Sequence, residues 1–282
     1  MLLLSKKTIL YLSSSILCAL QNIVSTLIDI DLRDRHVILS KFKYAILFTC
    51  SFLILFSESD LAQSSPPLLS NDPGTPGPGN WEINILTSLE RSNLNEEWQI
   101  PLFDINYGVG DRCQLTVSTP FVIGHEKGTE VRRAFDGMQM GIKYRFVDNS
   151  STTWSNFSLF PNVYFSFVEE KSMKWSLPLE WHHEWSHFGL TAEVGHVWVN
   201  GESDGWEGGV GAALLLKHVS LLAEWHTGMR EGPFELSGQI LSVGFTWEWT
   251  KTVSLFGSFG KSLQNHEEAT TFWSLAGFQF RF

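Results

Sequence analysis

The sequence predicts an all-β chain, an antiparallel up-and-down transmembrane β-barrel of about twelve strands. Three observations predict it. From Trp81 to Phe282 apolar and polar residues alternate with period two, and no window carries a helical stripe. The alternating segments are mostly near the 9–11 residues that a tilted strand needs to cross a bilayer. Aromatics make up 13% of the chain and charged residues only 18%, below the roughly 25% charge of an ordinary globular domain. Mean hydropathy is near zero, which argues against a bundle of apolar membrane helices.

The elements follow in chain order. Residues 1–36 contain a basic-then-apolar stretch, Lys6-Lys7 followed by Thr8–Leu20. They read either as a start-site artefact or as an N-terminal extension such as an anchor helix. Residues 37–62 read as a signal peptide: Lys41 and Lys43 form the basic region, Tyr44–Phe56 the apolar region, and Ser57–Ala62 a polar stretch ending in a small residue. Cleavage is expected near Ala62. Residues 63–79 are dense in Pro and Gly, so they suit neither helix nor central strand. They are expected to lie extended on the periplasmic side of the barrel at 80–282.

Alternation places twelve strands at roughly 81–90, 97–108, 111–121, 135–147, 155–167, 173–185, 188–199, 206–216, 219–228, 238–249, 253–261 and 271–282. If the first runs outward from the periplasm, the inner turns are mostly short and the outer loops longer and charged. Outer-membrane barrels have that asymmetry. An even number of strands also returns both ends to the periplasm. Gly108 and Gly110 are expected to supply positive φ at the first inner turn.

The rival fold is a soluble sandwich or lipocalin-like barrel. It would need to bury a face this polar without water, which is costly. The aromatic residues near segment ends also suit an interfacial girdle. The expected location is therefore the outer membrane of a Gram-negative bacterium, with outer-membrane lipid as the surrounding partner.

On the polar faces lie Glu82, Asn84, Asp104, Asn106, Lys143, Arg145, Glu180, His182, Glu184, Glu224 and Glu248, the candidate lumen residues. Carboxylates outnumber cations among them, so a wet lumen would favour cations. Phe160, Tyr164 and Trp206 are candidates to narrow it. A nucleic-acid partner is not expected for a chain of net charge −10. Once residues 1–62 are removed, Cys113 is the only cysteine left, and no zinc spacing occurs.

Catalysis has little support. His182, His183, His187 and His196 lie near Ser186, Glu184 and Glu193, but neighbours in sequence do not make a triad. The strings His183-Glu184-Trp185-Ser186-His187 (HExxH) and Gly201-Glu202-Ser203-Asp204-Gly205 (GxSxG) do occur, but the first falls at the end of a period-two segment and not on a helix, and the second falls in an outer loop and not on a strand-to-helix turn. His182 and Glu184 share a strand face while His183 points away. Neither an outer-membrane lipid hydrolase nor a metal site on His182, Glu184 and His196 is expected, and no cofactor is implied.

The chain ends on Gly277, Phe278, Phe280 and Phe282. A Gly followed by aromatics three and five residues on resembles the C-terminal signal read by the barrel assembly machinery. Leu275 stands where that signal usually has a polar residue. Asp72–Asn84, Pro101–Arg112 and Gly141–Phe146 together resemble a family of outer-membrane transporters related to proteins of the phenol meta-cleavage pathway. The resemblance implies a barrel that passes small solutes, apolar or aromatic ones included. The reading is a passive channel; the alternative is a structural or anchoring barrel without flux.

Overall fold

The computed structural model describes residues 67–148, 155–168, 173–200, 204–230, 236–263 and 271–282. The expectations for residues 1–62 lie outside these. Fourteen strands are present among the described residues: β1 Trp81–Arg91, β2 Asn95–Val109, β3 Cys113–Glu126, β4 Arg132–Phe135, β5 Gly137–Val147, β6 Asn156–Leu159, β7 Asn162–Ser166, β8 Met173–Trp185, β9 Phe188–Val199, β10 Gly205–Leu215, β11 Val219–Arg230, β12 Leu236–Glu248, β13 Val253–Ser262 and β14 Phe272–Arg281.

These strands make twelve staves. β4 and β5 both pair with β3 and lie end to end, as do β6 and β7 between β5 and β8. The break in the second pair falls at Phe160-Pro161. Proline has no N–H for the ladder, so it interrupts a strand that alternation alone reads as continuous. The first pair breaks at Asp136, whose backbone N–H bonds the Pro120 carbonyl at 3.3 Å.

The barrel closes between β1 and β14, antiparallel from Glu82 opposite Arg281 to Arg91 opposite Phe272. Trp81 and Phe282 exchange two backbone hydrogen bonds of 3.0 Å at one rim, here the terminal end. Gly277 is required at this seam by close approach. A Cβ there would sit 2.6 Å from Leu86 Cβ and 2.7 Å from the Ile85 carbonyl oxygen. The twelve-stave antiparallel barrel is the predicted fold.

Two local departures have plain causes. β2 changes phase at a bulge between Gln99 and Leu102. An odd residue added to one strand swaps its faces, so Glu97 and Gln99 turn inward along with Asp104 and Asn106. At the first turn Gly110 does have positive φ, 62°, but Gly108 does not. Gly108 is small because another stretch of backbone, at Gly77, approaches it closely.

The two faces are sorted opposite to those of a soluble protein. Glu82, Asn84, Lys143, Glu180 and Glu224 are all nearly or fully buried. Trp175, Leu177, Val194, Val210, Leu221 and Val243 are exposed on the outside, Val210 at 52%. A continuous apolar exterior around a polar interior is suited to hydrocarbon, not water. Aromatics gather at both rims. Trp81 meets Tyr107 at 4.6 Å and His183 meets Trp185 at 4.2 Å at the terminal end. At the opposite end, here the loop end, His196 packs against Trp198 at 4.4 Å and Trp206 at 4.8 Å. Trp206 is therefore on the outer surface and does not narrow the lumen; Phe160, 4% exposed, faces inward.

Candidate channel lumen

The lumen is built from strand positions that alternation turns inward. On the β1–β3 wall, Asp104 accepts hydrogen bonds from Asn84 at 2.8 Å and Asn106 at 3.0 Å. Asn106 in turn accepts from Gln114 at 2.8 Å and Thr116 at 2.6 Å. Glu82 pairs with Arg281 across the closing seam at 3.3 Å. Such a chain of short polar side chains satisfies its own donors and keeps the wall hydrophilic.

Across the lumen Lys143 Nζ lies 3.2 Å from Glu180, and both side chains are essentially inaccessible. Ser158 donates to the same carboxylate oxygen. The Phe160 ring stands 5.2 Å from the ammonium, within cation–π range. A charge buried this far from water needs such partners.

The space between these walls holds the chain itself. Residues 67–79, expected in the periplasm, run into the barrel from the terminal end. The N–H groups of Leu69 and Ser70 donate to the two oxygens of Glu224 at 2.8 and 2.7 Å. The backbone N–H and side-chain amide of Asn71 donate to Glu193 at 2.8 and 3.0 Å. Lys143 donates to the Asp72 carbonyl, and Ser258 to that of Pro67 at 2.6 Å. The physical reason is that a Pro/Gly-rich stretch cannot satisfy its own backbone, and buried backbone groups must find partners. Carboxylates provide the strong, charge-assisted kind.

The wall makes room for the segment. A Cβ at Gly209 would lie 2.4 Å from Ser70 Oγ, and one at Gly211 2.9 Å from Leu68 Cδ1. A Cβ at Gly108 would lie 1.7 Å from the Gly77 carbonyl oxygen. Gly108 thus lets the incoming strand of chain touch β2, and Gly79 N–H bonds its carbonyl at 2.9 Å.

Other residues singled out from the sequence lie at the terminal end. Arg145 bonds the Asp111 carbonyl at 2.8 Å and Asp148 at 3.1 Å. His182 meets Thr191 at 3.0 Å and lies 3.8 Å from the exposed Glu184. Glu248, at the end of β12, is half-buried. A cavity of about 130 Å³ beside the segment touches Asp72, Arg145, His182 and Glu184.

Three solved structures share this architecture. A KdgM porin in complex with disordered oligogalacturonate superposes with a TM-score of 0.51 at 10% identity, covering 71% of this chain and 99% of that one. A NanC porin gives 0.52 at 4% identity, covering 70% and 98%. An outer membrane channel from Pseudomonas putida F1 gives 0.50 at 10% identity, covering 80% and 100%. The fold is that of a porin-type barrel. No protein-family model and no curated protein matches the sequence. The resemblance to the phenol meta-pathway family rests on the sequence motifs alone.

In this porin-type barrel the histidine cluster is split by the strand period. His182 and Glu184 turn inward, whereas His183 lies parallel to Trp181 and edge-on to Trp185 outside, and meets Ser155 at 3.0 Å. Ser186 contacts His187, its own neighbour, at 2.8 Å. Among the described residues no group of three or more His, Cys, Asp or Glu is arranged to hold a metal. Sequence reasoning set Glu193 in that cluster, while its role here is to hold the Asn71 amides. It also passed over Gly209 and Gly211. Two glycines at inward positions of one strand were the available signal that something packs against the wall.

Proposed function

We propose that this chain is an outer-membrane channel for passive passage of small polar solutes, narrowed by its own residues 67–79. The observation that carries the reading is the polar interior. A wall rich in Glu, Asn, Gln, Thr and Ser side chains, with Val122, Phe160 and Phe256 among them, is crossed by one extended segment. That lining favours polar solutes over the apolar or aromatic ones that the motif resemblance implies. The terminal end faces the periplasm in this reading, and the loop end faces outward. Export through a leader at 37–62, cleaved near Ala62, belongs to it too.

Among the described residues the buried carboxylates are Glu82, Glu180, Glu193 and Glu224, against buried Lys143 and the Arg281 that pairs with Glu82. Excess negative charge in a low-dielectric lumen attracts cations. Purified protein in a planar bilayer is expected to give discrete, cation-preferring current steps. The preference should weaken in Glu193→Gln and grow at low salt, where screening is least. The second reading, a structural barrel without flux, is favoured by the occupied lumen. A silent bilayer together with unchanged solute uptake into liposomes would select it.

Assembly is proposed to use Gly277, Phe278, Phe280 and Phe282 as the signal for the barrel assembly machinery. Deleting Phe282 is expected to leave the chain in the periplasm, open to proteolysis. Normal heat-modifiable migration of that variant in outer-membrane fractions would contradict this.

A further inference from the structure

We propose that the loop-end half of the lumen is a binding site for a neutral, polyhydroxylated solute of small-sugar size. The inference deepens the channel reading, on which it rests for how the solute arrives. A cavity of about 370 Å³ lies there, floored by Leu69 and Asn71 of the inward segment. That volume falls within the range of small-molecule sites. Its wall is not apolar: Gln139, Tyr164, Lys174, Glu193, Glu207 and His226 all border it.

The charged groups of this wall already have hydrogen-bond or ion-pair partners. Lys174 pairs with Glu207 at 3.3 Å, and Glu193 takes the two amides of Asn71. Tyr164 donates to Asp136 at 2.9 Å, leaving its ring as a flat face. Among the described residues two groups of the wall have no hydrogen bond, the Gln139 amide and the His226 imidazole. An amide presents two donors and an acceptor, and a neutral imidazole presents one of each. Hydroxyl groups can meet all of these at once, because each both donates and accepts. A carboxylate or an ammonium ion would meet only half and would disturb the existing pairs. A solute that meets both groups gains hydrogen bonds at this point of the lumen, so it has a reason to pause there.

Titration calorimetry on the purified, detergent-solubilised barrel tests this without requiring conduction. Sucrose is the neutral probe and putrescine the cationic one. Saturable sucrose binding is expected, weakened at least tenfold in a Gln139→Leu/His226→Phe double variant and unchanged in Glu248→Gln at the other rim. If the double variant loses heat-modifiable migration, Gln139→Glu and His226→Asn are used singly, each with a several-fold loss expected. Absent sucrose binding, equal binding by the folded variants, or tighter binding of putrescine would overturn the proposal. Sucrose binding in a barrel that conducts nothing would sink the channel reading and leave the site. Conduction without sucrose binding would do the reverse.

Discussion

Lys143→Met is expected to destabilise the barrel by about 3–5 kcal/mol, because it leaves Glu180 as an uncompensated buried charge. Lys143 and Glu180 are 1% and 0% exposed at the side chain, so water cannot take over the lost role. The same substitution removes the donor to the Asp72 carbonyl and so loosens the inward segment. The effect should be non-additive. Lys143→Met/Glu180→Leu removes both charges and is expected to be more stable than either single variant, since an apolar pair of similar volume often replaces a buried ion pair without loss. Urea unfolding of the refolded barrel in lipid reads all three. A double variant as unstable as the sum of the singles would mean that the two residues act separately.

Arginine at Val243 is expected to cost about 2–4 kcal/mol, the range for a cation facing lipid near the bilayer midplane. Val243 lies mid-way along β12 between Ala223 and Phe259 and is 43% exposed on the outer face. Leu216→Arg, beside the turn at the terminal end, should cost about 0–1 kcal/mol, because the penalty falls away toward the interface. The neighbouring Ser242 is not a neutral control. It is fully buried, 3.4 Å from Glu224, so a large residue there displaces the carboxylate that holds the inward segment and does not meet the membrane. Equal losses at Val243 and Leu216 would mean that the outer face does not meet a bilayer in this register.

Much of this architecture is legible in the chain because a strand has a period of two. Glu180 and His182 on one side, Trp181 and His183 on the other, follow from parity alone. Parity fails where the backbone breaks step. Pro161 splits one stave, and the bulge at Ile100-Pro101 turns Glu97 and Gln99 inward, so their contribution to the lumen is invisible to a continuous alternation. Parity also places Trp206 outside, on the face of Val210 and opposite Glu207, Gly209 and Gly211, so its bulk does not reach the lumen.

The larger gap is the segment at 67–79. Its prolines and glycines say what it cannot form, and that much is read correctly. Where its backbone N–H groups are satisfied is a long-range matter. Leu69 and Glu224 are 155 residues apart, and nothing local to either one marks the pair. The only nearby hints are absences of side chains. Gly108, Gly209 and Gly211 are small where a barrel wall normally presents a residue to the lumen, and a glycine in a strand often marks a close approach of another backbone. The polar residues of the wall could be assigned to the lumen from sequence, but not their division into those that line free space and those that grip the segment.

In the proposed channel an open path runs through the barrel and residues 67–79 restrict it. Single-channel conductance in a planar bilayer tests it most directly, comparing the intact barrel with one lacking residues 67–79 and with Glu193→Gln/Glu224→Gln. Small, discrete steps are expected for the intact protein and a several-fold larger conductance for both variants. Equal conductance with and without the segment, or a bilayer that stays silent in all three cases, would contradict it.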